Sequence, residues 1–238
     1  VAGQSNSVGV TLGKRWTIRN NLFLNNGSDT DDHTSVFAWV NSVVIDGNTF
    51  WEDSPPHTVG KTGGATCYEV HGEFHRVTNN YFYNYTLGMY VASNYTSAVL
   101  NTVVANNTFY TSDYGILLFR NQTPASAAVD GVLIEGNAFY FDNYTYSGQP
   151  ISRAAVAFQG QIATQQLAIK NVKIANNYAL AVGTDLFSNF VRWDTVQTVT
   201  SLSSNLSVTD NQAIGFTQGV YLLTKSDNGQ GYTEISRN

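Results

Sequence analysis

One cysteine, one methionine and four prolines are all that 238 residues hold of those types. The lone Cys67 excludes an internal disulfide and any multi-cysteine zinc site. Charge is scarce too: Asp, Glu, Lys and Arg make up 12% of the chain, against roughly a quarter in ordinary globular proteins. The net charge is −5 and the densest cationic stretch is Lys14-Arg15, a balance that argues against a nucleic-acid partner. No apolar run has the length of a membrane span, so membrane insertion is not expected. Hydrophobic residues still reach 42%, which excludes a disordered chain.

What is abundant is asparagine, and it is periodic. A hydrophobic–any–Ile/Val–any–small/polar–Asn pattern recurs as WTIRNN, VVIDGN, HRVTNN, TVVANN, VLIEGN, VKIANN, LSVTDN and YTEISRN. It places asparagines at Asn21, Asn48, Asn80, Asn107, Asn137, Asn177, Asn211 and Asn238, spaced by 27, 32, 27, 30, 40, 34 and 27 residues. Ile18, Ile45, Val77, Val104, Ile134, Ile174, Val208 and Ile235 fall in register three residues earlier. Their period-two alternation reads as a strand, not a helix. The residue before the ladder asparagine is Asn, Gly or Asp in every copy but the last, where it is Arg237. Those types best tolerate a left-handed backbone, so each strand is expected to end in the same sharp corner. Phe23, Phe50, Phe82, Phe109 and Phe139 stand two residues past the asparagine, replaced later by Ala179 and Ala213.

A second strand follows, opened by glycine in GMYV, GILL and GVYL, with counterparts SVFAWV, CYEVH, RAAVAF and NFVRW. Two or three short strands per coil of about 30 residues predict an all-β, parallel β-solenoid. About eight coils at about 4.8 Å each give a single elongated domain over residues 1–238, on the order of 40 Å long. Stacked coils would join the asparagines into an amide ladder and pile the phenylalanines beneath them. The chain opens on what reads as the second strand of an earlier coil and stops on a ladder position. It is therefore expected to be a fragment of a longer chain, uncapped at both ends.

The asparagine ladder, the phenylalanine stack and the glycine-led second strand resemble the right-handed parallel β-helix (pectate-lyase-like) superfamily. The likeness covers essentially the whole chain and is greatest to phage tailspike polysaccharide depolymerases. It implies a polysaccharide partner, a homotrimer and an extracellular or virion setting. The matching motifs are structural, so no catalytic signature is carried over with them.

Where the regular coil is interrupted, loops on a rigid scaffold offer room for a site. The gap between the two strands lengthens after Asn21 and Asn48, giving the insertions NGSDTDDHT and WEDSPPHTVGKTGGAT. All four histidines (His33, His57, His71, His75) and eight of the 17 acids fall between residues 29 and 75. In CYEVH, alternation sends Tyr68 and Val70 inward and Cys67, Glu69 and His71 outward, with Phe37 or Trp39 and Tyr90 on the neighbouring coils. A carboxylate between aromatic rings suits a sugar groove, since rings offer an apolar face to sugar C–H groups.

Glycoside hydrolysis needs two carboxylates within about 5–9.5 Å. The candidates are Glu69 as acid with Asp53 or Asp32 as partner, His71 as an orienting group, and Trp39 and Tyr90 as platforms. A lyase would instead need a base or cation such as His71, Lys61 or Arg76; His57 completes the candidate substrate-binding set. A glycan-binding adhesin or structural spike is the non-catalytic alternative. Asp29, Asp31 and Asp32 could hold Ca²⁺, though without a recognised loop signature, and no other cofactor or metal is indicated. Asp142, Asp185, Arg192 and Asp194 read as a surface ion-pair group, Trp51 and Trp193 as packing residues. Tyr90, Leu117, Phe119, Tyr221 and Leu223 form an outward apolar stripe.

Overall fold

A computed structural model describes residues 8–10, 13–24, 34–53, 66–93, 99–120, 128–141, 153–160, 168–182, 188–194, 202–222, 225–226 and 233–238. These residues form short strands and no helix. Every pairing is parallel, and the strands assemble into one sheet of 13 and one of 11. The fold is a parallel β-helix. The 11-stranded sheet carries the Ile/Val column and leads into the asparagine corner; the 13-stranded sheet carries the phenylalanines and the second strands.

The asparagine ladder is continuous. Seven side-chain amide links of 2.9–3.0 Å join Asn21 to Asn238 through every intervening ladder position. Asn107 shows why this residue type is required. Its Oδ1 accepts from the backbone N–H of Asn80 (3.0 Å) and from Asn80 Nδ2 (2.9 Å). Its Nδ2 donates to the carbonyls of Val77 (2.9 Å) and Ala105 (3.1 Å) and to Asn137 Oδ1 (3.0 Å). An amide, which is acceptor and donor at once, can satisfy both the coil before and the coil after. The preceding residue has positive φ in all eight copies, 52–66°, and this includes Arg237.

Beneath the ladder, Phe23, Phe50, Phe82, Phe109 and Phe139 stack with centroids 4.6–5.0 Å apart and planes within 8°. Ala179 and Ala213 continue that column in register. There Phe216 enters edge-on against Phe141 and Phe190, at 6.0 and 6.4 Å. The glycines that open two of the second strands are steric. A Cβ on Gly88 would stand 2.5 Å from Phe109 Cδ1 and 2.7 Å from the Gly115 carbonyl, and one on Gly115 would collide with the Phe139 ring.

Two features depart from expectation. Eight asparagine rungs do not make eight coils: the structure holds about four turns. A second left-handed corner also runs along the axis at Arg15, Ser42, Phe74, Asn101, Gly131, Asn171 and Asn205. Part of it is bonded side chain to side chain, Asn205 to Asn171 (2.8 Å) and Asn171 to Asp130 (2.7 Å).

Asn107→Ala removes five side-chain hydrogen bonds at a position that is 1% exposed. The expected loss is about 2–4 kcal/mol of stability, read from urea unfolding. An unchanged midpoint would show that the apolar core alone carries coil stacking.

Candidate functional site

The site follows from strand register. Strands Val8–Val10, Thr34–Trp39, Thr66–His71 and Tyr81–Ser93 lie side by side in the 13-stranded sheet. Val36, Tyr68 and Met89 form one inward column, Ala38, Val70 and Val91 the next, all fully buried. Burying these apolar side chains fixes the register, because a slip of one residue would turn them all outward. The alternate positions then face away from the core: Gly9, Phe37, Glu69 and Tyr90 form one column, and Trp39 and His71 pair beside it.

His71 Nε2 donates to Glu69 Oε1 at 2.5 Å, with side-chain exposures of 2% and 12%. Trp39 stacks on the imidazole at 4.7 Å and 14°, and Phe37 lies tilted 5.5 Å from it. His71 Nδ1 is buried without a hydrogen-bond partner among the described residues. The imidazole is thus enclosed and spent on Glu69, so it can position the carboxylate but cannot itself reach a ligand. Immediately after it, Gly72 and Phe74 both take positive φ (112° and 60°). A bulky residue there is strained by on the order of 1 kcal/mol. That bend brings His75 Nε2 to the His71 carbonyl, 3.1 Å away.

Several sequence expectations fall elsewhere. Cys67 does not face outward; it is fully buried. It belongs to the core together with Tyr85. Arg76 is exposed on the 11-stranded sheet, paired with Val44 and Val103, and does not share a face with Glu69. Asp53 accepts from Trp51 Nε1 at 2.8 Å. Trp51 pairs with Tyr83, whereas Glu69 pairs with Tyr90 along the same strand. At about 3.3 Å per residue the rung of Asp53 lies roughly 15 Å from that of Glu69. Asp32, His57, Lys61, the aspartates Asp29 and Asp31, and the parts of the two long insertions at 25–33 and 54–65 lie outside the described residues, as do Asp142, Asp185 and Leu223. Leu117, placed in the outward stripe, is 7% exposed and packs with Ala154 and Ala157.

The acid-rich stretch divides on inspection. Asp46 sits on the 11-stranded sheet between Thr78 (2.7 Å), Asn79 (2.8 Å) and Arg19 (2.9 Å). Those partners, Thr78 first, hold its carboxyl below the ordinary range. Glu52 is buried beside Cys67 and Tyr85, and Ser35 Oγ lies 3.1 Å from Tyr85 Oη. Burial, and secondarily the Glu52 charge, pushes the Cys67 thiol up. No signal in the sequence marked this interior polar group, because Glu52 opens an insertion that reads as surface loop.

The sequence reading also passed over an outer aromatic column, Trp51, Tyr83, Tyr110 and Tyr140 in register. Trp51–Tyr83 and Tyr110–Tyr140 stack at 4.0 and 4.6 Å. Those faces cover one another, a packing role. Among the described residues no group of three His, Cys, Asp or Glu side chains could hold a metal ion. No helix among them is long and apolar enough to cross a membrane.

No protein-family model matches the chain and no curated protein matches it. Among solved structures it is similar to a tailspike protein mutant of the E. coli bacteriophage HK620 in complex with a pentasaccharide. The TM-score is 0.70 and the identity 14%, over 96% of this chain and 38% of that one. The Streptococcus pneumoniae surface protein and adhesin PfbA gives a TM-score of 0.49 at 14% identity, over 98% of this chain and 82% of that one. The chain thus spans about 38% of the tailspike's length, and the likeness is one of fold: a parallel β-helix resembling that of tailspikes.

His75 gives the site a pH response. Burial lowers its pKa from 6.5 to about 4. The unfolded chain therefore takes up this proton first, and stability falls as pH drops from about 6.5 to about 4. The size is roughly 3 kcal/mol at full desolvation. His75→Gln is expected to flatten the dependence of the unfolding midpoint across that window. An unchanged slope would contradict the burial of a neutral imidazole.

Proposed function

We propose that this chain is a glycan-binding β-helix whose Phe37–Trp39–Glu69–Tyr90 patch, with His71 behind it, engages a bacterial surface polysaccharide and cleaves it by hydrolysis. The observation that carries the reading is the Glu69 carboxylate, gripped by an enclosed imidazole and set between rings on the outer face of the sheet. Rings supply the apolar contact and a carboxylate the hydrogen-bond acceptor that a sugar requires. The similar tailspike fold was solved with a pentasaccharide, which supports the ligand class.

In this reading Glu69 delivers its proton to the leaving oxygen and His71 is a positioning residue. The second carboxylate is assigned to Asp32, two residues before the Thr34–Trp39 strand, because Asp53 stands at Trp51. Among the described residues elimination is the poorer reading, since Arg76 lies on the other sheet and His71 is enclosed; Lys61, its third candidate, lies outside them. An extracellular or virion setting and an assembly of identical subunits belong to the same proposal.

The test is release of new reducing ends from a panel of capsular and O-antigen polysaccharides. Glu69→Gln is expected to lower turnover at least about 100-fold while binding persists. Binding by the parent without release would make it a non-catalytic binder. Turnover untouched by Glu69→Gln would move the site elsewhere.

A further inference from the structure

We infer that the gap over Phe37, opposite Gly9, is a subsite for a neutral pyranose unit of the glycan, an inference that rests on the function just proposed. Gly9 pairs with Phe37, between Val8 opposite Val36 and Val10 opposite Ala38. Val36 and Ala38 are fully buried, so position 9 points outward in the column of Glu69. Among the described residues, a Cβ built on Gly9 would meet nothing within 4 Å.

Glycine inside a strand is unfavourable by about 0.5–1 kcal/mol relative to alanine and often marks close approach by a ligand or another backbone. Gly88 and Gly115 are glycine because a phenylalanine of the next coil occupies the Cβ position. Gly219 also has open space, but it opens its strand at the Gly88 and Gly115 position of the repeat. Gly9 has neither reason. Its missing side chain puts nothing on that strand beside Phe37, which is half-buried and tilted against Trp39 and His71, with Trp39 37% exposed.

The dimensions and chemistry fit one sugar ring. Gly9 and Glu69 are two strands apart, about 10 Å at the usual spacing, with Phe37 as the floor between them. A pyranose has an apolar C–H face for the phenylalanine and hydroxyl donors for the Glu69 oxygen that His71 does not hold. Gly9, Phe37, Tyr90 and Leu117, the column about Glu69, hold no cation. A uronate carboxylate in the gap would lose water with no counter-ion in that column, which selects a neutral unit.

The probes are a neutral O-antigen polysaccharide and a uronate-containing capsular polysaccharide, with affinity measured by interferometry on the immobilised glycan. Gly9→Leu puts a side chain into the gap from a Cβ position with open space around it and is expected to melt at or above the parent temperature. Its affinity for the neutral glycan is expected to fall about tenfold or more. Phe37→Ala, which removes the floor, is expected to weaken binding likewise and covers the case of a misfolded Gly9→Leu. The parent is expected to bind the neutral glycan more tightly than the uronate one.

Parent-like affinity in both variants would overturn the subsite, while loss of turnover in Glu69→Gln would leave the function standing. Preference for the uronate glycan would overturn the neutral assignment. Failure of the parent to bind either glycan would overturn both the subsite and the function it rests on.

Discussion

The structure depends on a side-chain amide that accepts from the coil before it and donates to the coil after it. A short coil cannot offset its own conformational entropy, about 1–2 kcal/mol per residue for the backbone alone. Coils become stable only when neighbours satisfy one another, as repeat arrays do. The asparagine at each corner is where that satisfaction is enforced, since its polar atoms are buried and would be costly if unpaired. Seven successive links from Asn21 to Asn238 tie the corners together. The left-handed residue before each asparagine and the phenylalanine after it adapt the backbone and the core to the same geometry.

Once the corners are fixed, the sheet has no freedom of register, and chemistry is placed by default. Tyr68 and Val70 fill the interior, so Glu69 must look outward between Phe37 and Tyr90. A carboxylate in a strand with half-covered neighbours needs a partner, and His71, two residues along the same face, is at the right distance. The stacking of Trp39 then closes the imidazole from the other side. The placing of Glu69 thus comes from the elements that hold the fold.

The periodic features were legible in the sequence because periodicity reports identical environments. The asparagines, the positive-φ residues and the phenylalanine stack belong to that class, and so does the alternation through Tyr68, Glu69 and Val70. The illegible features are those where a corner breaks the alternation. Cys67 is second in its strand, beside Glu52 and Tyr85, so period two no longer sets exposure. The second left-handed corner escaped because its residues share a backbone conformation but no residue type, running through Arg15, Ser42, Phe74 and Gly131. Asp53 reads as a neighbour of Glu69 in a compressed picture of the coil. It stands several strand positions away because the coil spreads its residues along the sheet.

The most direct measurement is a crystal structure of the chain with an oligosaccharide released from, or synthesised to match, a polysaccharide it binds. The account requires a sugar ring lying on Phe37 opposite Gly9, with a hydroxyl within hydrogen-bond distance of Glu69. A sugar seated instead along Trp51, Tyr83 and Tyr110, or on the 11-stranded sheet, would contradict it.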